Sequence, residues 1–218
     1  MRIHDPDVVY TDLGLAILGA ILAWRLWTHT QQSALTRSGV VVMAALASAA
    51  LFGALFHAFF PADSATRAAY FAWIPVSLSI LVVAATLLTL GLRVLLPQWP
   101  SAVRGGLVAL YAASFAVVVL FVDDSYSTIV RFYAPMLILF LIAAVREAAR
   151  GADGGWWLLA ISFGISIIAA LMQQARVAIH SVYFDHNALY HVLQGIALVL
   201  LYLGFRRVGR SDPAYRAQ

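Results

Sequence analysis

The chain has 218 residues, of which 63% are hydrophobic and only 11% charged, and its mean hydropathy is +0.87; that leaves too little polar surface to coat a soluble globule and points to an all-α integral membrane protein. Cysteine is absent and all 14 basic residues are arginine, which excludes disulfides, thiolate metal sites, iron–sulfur clusters and a cysteine nucleophile, and equally a retinal Schiff base, which needs a lysine amine. The pI of 9.7 comes from loop arginines and bears on membrane orientation; it is no sign of a nucleic-acid surface.

Seven apolar stretches, each near the roughly 20 residues that a bilayer core requires, occupy 8–27, 39–60, 68–92, 103–122, 127–145, 156–173 and 183–205. They predict a seven-transmembrane-helix bundle. Pro61, Pro97, Pro100 and the glycine-bearing segment 151–155 mark short connections. No soluble domain, low-complexity tract or internal repeat stands out, so residues 1–218 read as one domain. The first stretch has the length of a full span and no basic region beyond Arg2, so it is expected to remain in the mature protein.

The arginines set an expected orientation. Arg25, Arg37, Arg93, Arg104, Arg146, Arg150, Arg206, Arg207, Arg210 and Arg216 fall in the first, third and fifth connections and the tail, against Arg2, Arg67, Arg131 and Arg176 on the other side. The positive-inside rule then puts the N-terminus outside and the C-terminus in the cytoplasm. Trp24, Trp27, Trp99, Trp156 and Trp157 fall near the inner interface as an aromatic belt. Most acids, and every histidine but His29, fall at the outer end.

The last stretch, Tyr183 to Arg207, starts polar, runs apolar and stops at paired arginines. In a helix, Asn187, Tyr190, His191 and Gln194 follow i, i+3, i+4, i+7 spacing and share one face. Polar groups at membrane depth are costly unless they face a bundle interior or a wet cavity, which makes this cluster a candidate site. His57, one turn before Pro61, lies at the same depth as the start of the last span. Alone it reads as a histidine donating to a backbone carbonyl; beside His186 and His191 it reads as a metal ligand, because neutral imidazole suits zinc. Five residues between His186 and His191 turn their side chains roughly 140° apart on a helix. Either His186 sits in an irregular first turn, or Asn187 is the residue that shares a face with His191.

Among the acids, Asp12 reads equally as a helix cap or as a buried site residue. Asp63 reads as a solvated cap only six residues beyond His57. Asp123 and Asp124 read as an interfacial pair near Arg131, and Gln173, Gln174 and Arg176 end the sixth span, where interfacial solvation explains them as easily as contact with a substrate headgroup.

A histidine late in the second helix, an acid near the start of the third and a histidine pair in HNALYHVLQGIALVLLY together resemble the alkaline ceramidase, adiponectin-receptor and haemolysin III superfamily of seven-helix membrane hydrolases. The DHNALYHVLQ segment is also similar to one in uncharacterised bacterial seven-helix proteins. The resemblance implies that His57, His186 and His191 hold a catalytic zinc and that Asp63 or Asp12 serves as the acid that handles the water's proton. It departs at Gly53, where the family has a serine, at the closeness of Asp63 to His57, and at the HxxxxH spacing.

The expected function is a zinc-dependent hydrolase of a lipid amide or ester, with Asn187, Tyr190 and Gln194 hydrogen-bonding the ligands, the oxyanion or the substrate. The competing expectation is a membrane sensor or transporter, or a haem protein with His57 and His191 as axial ligands. A composition rich in Ala and Arg fits a bacterial inner membrane.

Overall fold

The structure, a computed structural model, describes residues 3–29, 33–61, 64–180 and 183–211. Its elements are the helices α1 (Pro6–His29), α2 (Ala34–Phe59), α3 (Arg67–Leu95), α4 (Ser101–Phe121), α5 (Tyr126–Ala149), α6 (Gly155–Gln174) and α7 (His186–Ser211). All seven are long and apolar enough to cross a membrane. Among the described residues, the one sheet-like pairing is a single antiparallel bridge between His180 and Phe184.

The helices outrun the apolar stretches where a local cap lets them. α2 begins five residues before residue 39 because the Ser33 hydroxyl accepts from the Thr36 backbone N–H at 3.1 Å, satisfying a donor that the first turn leaves unpaired. Thr66 and Ser125 cap α3 and α5 in the same way. α7 starts three residues after residue 183, because Asp185 Oδ1 accepts from the backbone N–H groups of Asn187 and Ala188 at 2.8 and 2.9 Å. It then runs past the paired arginines to Ser211. Hydropathy marks the buried length of a helix, whereas caps mark its ends.

Successive helices alternate in direction, and cross-links at each end fix the alternation. At one end the backbone N–H of Asp5 donates to the His57 carbonyl at 3.4 Å, Tyr70 donates to the Leu120 carbonyl at 2.8 Å and Tyr126 to Gln173 at 2.9 Å. At the other end Arg146 reaches the Val94 carbonyl at 3.2 Å and Arg207 pairs with Asp153 at 3.0 Å. The histidines His57, His180, His186 and His191 thus lie at the first end, and the arginines of the first, third and fifth connections lie at the second.

Six helices close a ring in the order α1, α2, α3, α5, α6, α7, with α7 returning to α1 and with α2 and α7 touching across the middle. α4 stands outside the ring, packed mainly on α3, and buries only Phe115 and Val119. Around the ring's outside, large apolar side chains such as Ile17, Phe71, Leu110 and Leu171 are more than 60% exposed.

The arginine-rich half of the ring is solidly filled. Phe140 lies at its centre, stacked on Phe205 at 6.3 Å and edge-on to Phe163 at 5.2 Å, among Leu26, Met43, Leu87 and Leu159. Trp24, Trp27, Trp99 and Trp157 face outward at this end, as a belt requires, but Trp156 is buried against Phe140 at 6.5 Å. Adjacent residues on a helix point about 100° apart, so Trp156 and Trp157 cannot both face out.

Close approach of α2 to α7 depends on Gly39, where an added Cβ would lie 2.5 Å from the Phe205 ring. Gly39→Ala is therefore expected to destabilise the protein by about 1–3 kcal/mol through overpacking, read as a fall in the midpoint of thermal unfolding in detergent. An unchanged midpoint would contradict the packing described.

Candidate functional site

The other half of the ring is hollow. A cavity of about 750 Å³ opens between the starts of α1, α3, α5 and α7 and the end of α2. Its depth is apolar, lined by Leu15, Leu46, Ala49, Val76, Ile80 and Leu198, and it rests on the filled half, into which Leu46 and Leu198 also pack. Its mouth is polar, with His57, Ser64, Thr66, Asp124 and Gln173 around it.

In its wall a carboxylate meets an imidazole. Asp12 Oδ1 lies 3.2 Å from His191 Nε2, with the two side chains only 6% and 12% exposed. The other ring nitrogen, Nδ1, lies 3.1 Å from the Thr11 hydroxyl. Two consecutive residues of α1 thereby hold both nitrogens of one side chain of α7. Asp12 sits in the second turn of α1, where no cap is needed; the first-turn acid is Asp7. Room for the second carboxylate oxygen comes from α2, because a Cβ at Gly53 would lie 3.0 Å from Asp12 Oδ2. A buried carboxylate beside an imidazole can exchange a proton with it, and a ligand in the cavity can take part in that exchange.

Other acids at this end tie the segments around the mouth. Asp5 Oδ2 lies 3.3 Å from His57 Nδ1. Asp7 Oδ2 accepts from the Asp185 backbone N–H at 3.3 Å. Asp123 accepts from the Ser125 N–H at 3.0 Å and from the Thr128 hydroxyl. The Thr128 hydrogen bond, with those from Ser125, holds the Asp123 carboxyl below its ordinary range, and Arg131 adds the smallest part. That acid serves the start of α5.

A chain of amides and phenols lines the wall opposite α1. Tyr190 and Tyr126 both line the cavity, and the Tyr126 hydroxyl donates to Gln173 Oε1 at 2.9 Å. Gln173 Nε2 donates to Asn187 Oδ1 at 2.9 Å, and Asn187 Nδ2 to Asp185 at 3.2 Å. Gln194 accepts from Ser166 at 3.2 Å through its carbonyl oxygen. Gln194 also lines the cavity, and among the described residues its NH₂ has no hydrogen-bond partner.

Of the residues singled out from sequence, the structure brings Asp12, His57, Asn187, Tyr190, His191 and Gln194 to one cavity. His186 is in the first turn of a regular α7, 3.6 Å from Asp185, and does not line the cavity with His57 and His191. Asn187 is the one that shares the face of His191. Asp63 lies outside the described residues. Among the described residues no three His, Asp or Glu side chains form a group able to hold a metal ion. The His and Asp side chains on the cavity wall are Asp12, His57, Asp124 and His191.

Thr11, Asp5 and Tyr126 are participants that the sequence did not single out as site residues, and it left Gln173 open between interfacial solvation and contact with a substrate headgroup. Thr11 adjoins Asp12, and Tyr126 and Gln173 are polar groups at the ends of apolar stretches, which interfacial solvation explains equally well until the cavity is seen.

Residues 8–210 match a protein family described as a family of unknown function, DUF6962. The chain belongs to that family. Neither a curated protein nor a solved structure matches it. The match begins within the first turn of α1 and ends within the last turn of α7, so membership in DUF6962 takes in the whole ring and both partners of the Asp12–His191 contact.

The contact makes a thermodynamic prediction. A double-mutant cycle between Asp12→Asn and His191→Ala, read by unfolding in detergent, is expected to give a coupling of about 1–3 kcal/mol, in the range for residues that share a buried polar network. Additive effects would mean that the two side chains do not meet.

Proposed function

We propose that the chain is a membrane-embedded hydrolase that cleaves an amide or ester bond of an amphiphile held in the cavity, with Asp12 and His191 moving the protons. The observation that carries this reading is the Asp12–His191 pair, 3.2 Å apart and nearly sealed from solvent, in the wall of a cavity with an apolar depth and a polar mouth. A volume of about 750 Å³ is within the range that encloses one drug-sized molecule, which favours a single-chain substrate. Among the described residues the lining carries Asp12 and Asp124 and no arginine, which favours an uncharged or cationic head over a phosphate.

The orientation in this reading follows the arginines. The cavity opens toward the outer leaflet, the C-terminus is cytoplasmic and the apolar outside of the ring faces lipid. A bacterial inner membrane fits the composition.

The reaction needs a base for water and an acid for the leaving group. Asp12 takes a proton from a water molecule as its oxygen attacks the scissile carbonyl carbon, while the proton between Asp12 and His191 Nε2 passes to the carbonyl oxygen. The Gln194 NH₂ steadies the charge that develops there. As the tetrahedral adduct collapses, the bond from carbon to nitrogen or oxygen breaks. Asp12 gives its proton to the leaving amine or alcohol, and the adduct returns the other proton to the Asp12–His191 pair. Water and an amide or ester become an acid and an amine or alcohol, and the pair ends as it began.

The resemblance to the ceramidase-type hydrolases also implies a catalytic zinc, which would supply a polarised water. The three imidazoles expected to hold it are not gathered among the described residues, so no step above runs through a metal.

The test is hydrolysis of fluorogenic long-chain amides and esters by the purified protein in lipid nanodiscs. Asp12→Asn and His191→Gln are each expected to lower the rate by about 10²–10⁴-fold, and chelation is expected to leave the wild-type rate intact. Retention of activity by Asp12→Asn would overturn the mechanism. Loss on chelation with recovery on added zinc would show a metal enzyme instead. Tight retention of a chain-bearing ligand without turnover would make the protein a binding module.

A further inference from the structure

The Thr11 hydroxyl has three neighbours, and their chemistry decides where its single proton goes. It lies 2.9 Å from the Asp7 carbonyl, 3.0 Å from the Val8 carbonyl and 3.1 Å from His191 Nδ1. Both carbonyls can only accept, and a threonine within a helix ordinarily donates back to the carbonyl one turn earlier. With its proton committed to α1, the hydroxyl faces Nδ1 with lone pairs, and Nδ1 must be the donor.

A second consequence follows at the other nitrogen. If Nδ1 carries the ring's proton, Nε2 of the neutral ring is bare, and it faces Asp12 Oδ1 at 3.2 Å. A bare nitrogen and a carboxylate oxygen repel at that distance unless a proton lies between them.

We propose that Thr11 is a positioning residue that fixes His191 with a proton on Nδ1, so that Nε2 and Asp12 hold one further proton between them at the cavity wall. The pair is then neutral as a unit in either arrangement, as carboxylic acid and imidazole or as carboxylate and imidazolium, which keeps its burial tolerable in an apolar bundle. It also contains a base and an acid together, since one partner can accept a proton while the other gives one up, as in a carboxylate dyad that shares one proton. This deepens the hydrolase reading, but the protonation pattern itself does not require that reading to be correct.

The experiment is nitrogen NMR of protein labelled at histidine, in lipid bilayers and without substrate, with the His191 signals assigned by their loss in His191→Gln. Wild type is expected to show a protonated Nδ1 and an Nε2 that shares a proton. Thr11→Val is expected to move the Nδ1 signal or mix the two ring forms, and Thr11→Ser to restore the wild-type pattern. A bare Nδ1 with a singly protonated Nε2 in wild type would overturn the proposal, as would identical His191 signals in wild type and Thr11→Val. Because no turnover is measured, a protein that hydrolyses nothing can still pass, and an active one can still fail.

Discussion

A carboxylate and an imidazole meeting inside an apolar ring is the constraint on which the rest of the structure depends. Asp12 alone in this setting would be a buried charge, and His191 alone a buried polar ring with unmet hydrogen bonds; either is costly at membrane depth. Together, and with the Thr11 hydroxyl on the second ring nitrogen, they satisfy each other. They also decide geometry, because α1 and α7 are the first and last helices, and their contact closes the ring that encloses the cavity.

The two halves of the bundle differ in how they are held together. The arginine-rich half is filled by Phe140, Phe163, Phe205 and their aliphatic neighbours, with glycines such as Gly39 bringing helices close. The opposite half gives up that packing, and its polar groups are paired across helices: Asp5 with His57, Asp7 with the start of α7, Tyr126 with Gln173. Gly53 belongs to this second half. There the missing side chain leaves the space that Asp12 Oδ2 occupies.

Much of this was legible in the sequence because bilayer physics leaves few options. Seven apolar stretches mark seven helices, and i, i+3, i+4, i+7 spacing puts Asn187, Tyr190, His191 and Gln194 on one face, which is the face that lines the cavity. Helix ends were less legible, since Ser33 and Asp185 set them through hydrogen bonds that hydropathy does not register. Partnership across helices was least legible. The acid's role stayed open between Asp12 and Asp63, and nothing in the local sequence says that Thr11 and Asp12 would reach His191, about 180 residues away along the chain. The spacing of His186 and His191 did carry its own warning, since five residues cannot keep two side chains on one face of a regular helix, and α7 is regular from His186 onward.

The central claim is that this cavity holds the chain of an amphiphile with its head against Asp12 and His191. Its most direct test is photolabelling in nanodiscs with a single-chain amide carrying a diazirine near the end of the chain, followed by peptide mapping of the adducts. The account predicts adducts at the cavity floor, on Leu46, Ala49, Val76, Ile80 and Leu198, suppressed by excess unlabelled amide. Adducts confined to the outer apolar surface, on residues such as Ile17, Phe71 and Leu110, and insensitive to competitor, would contradict it.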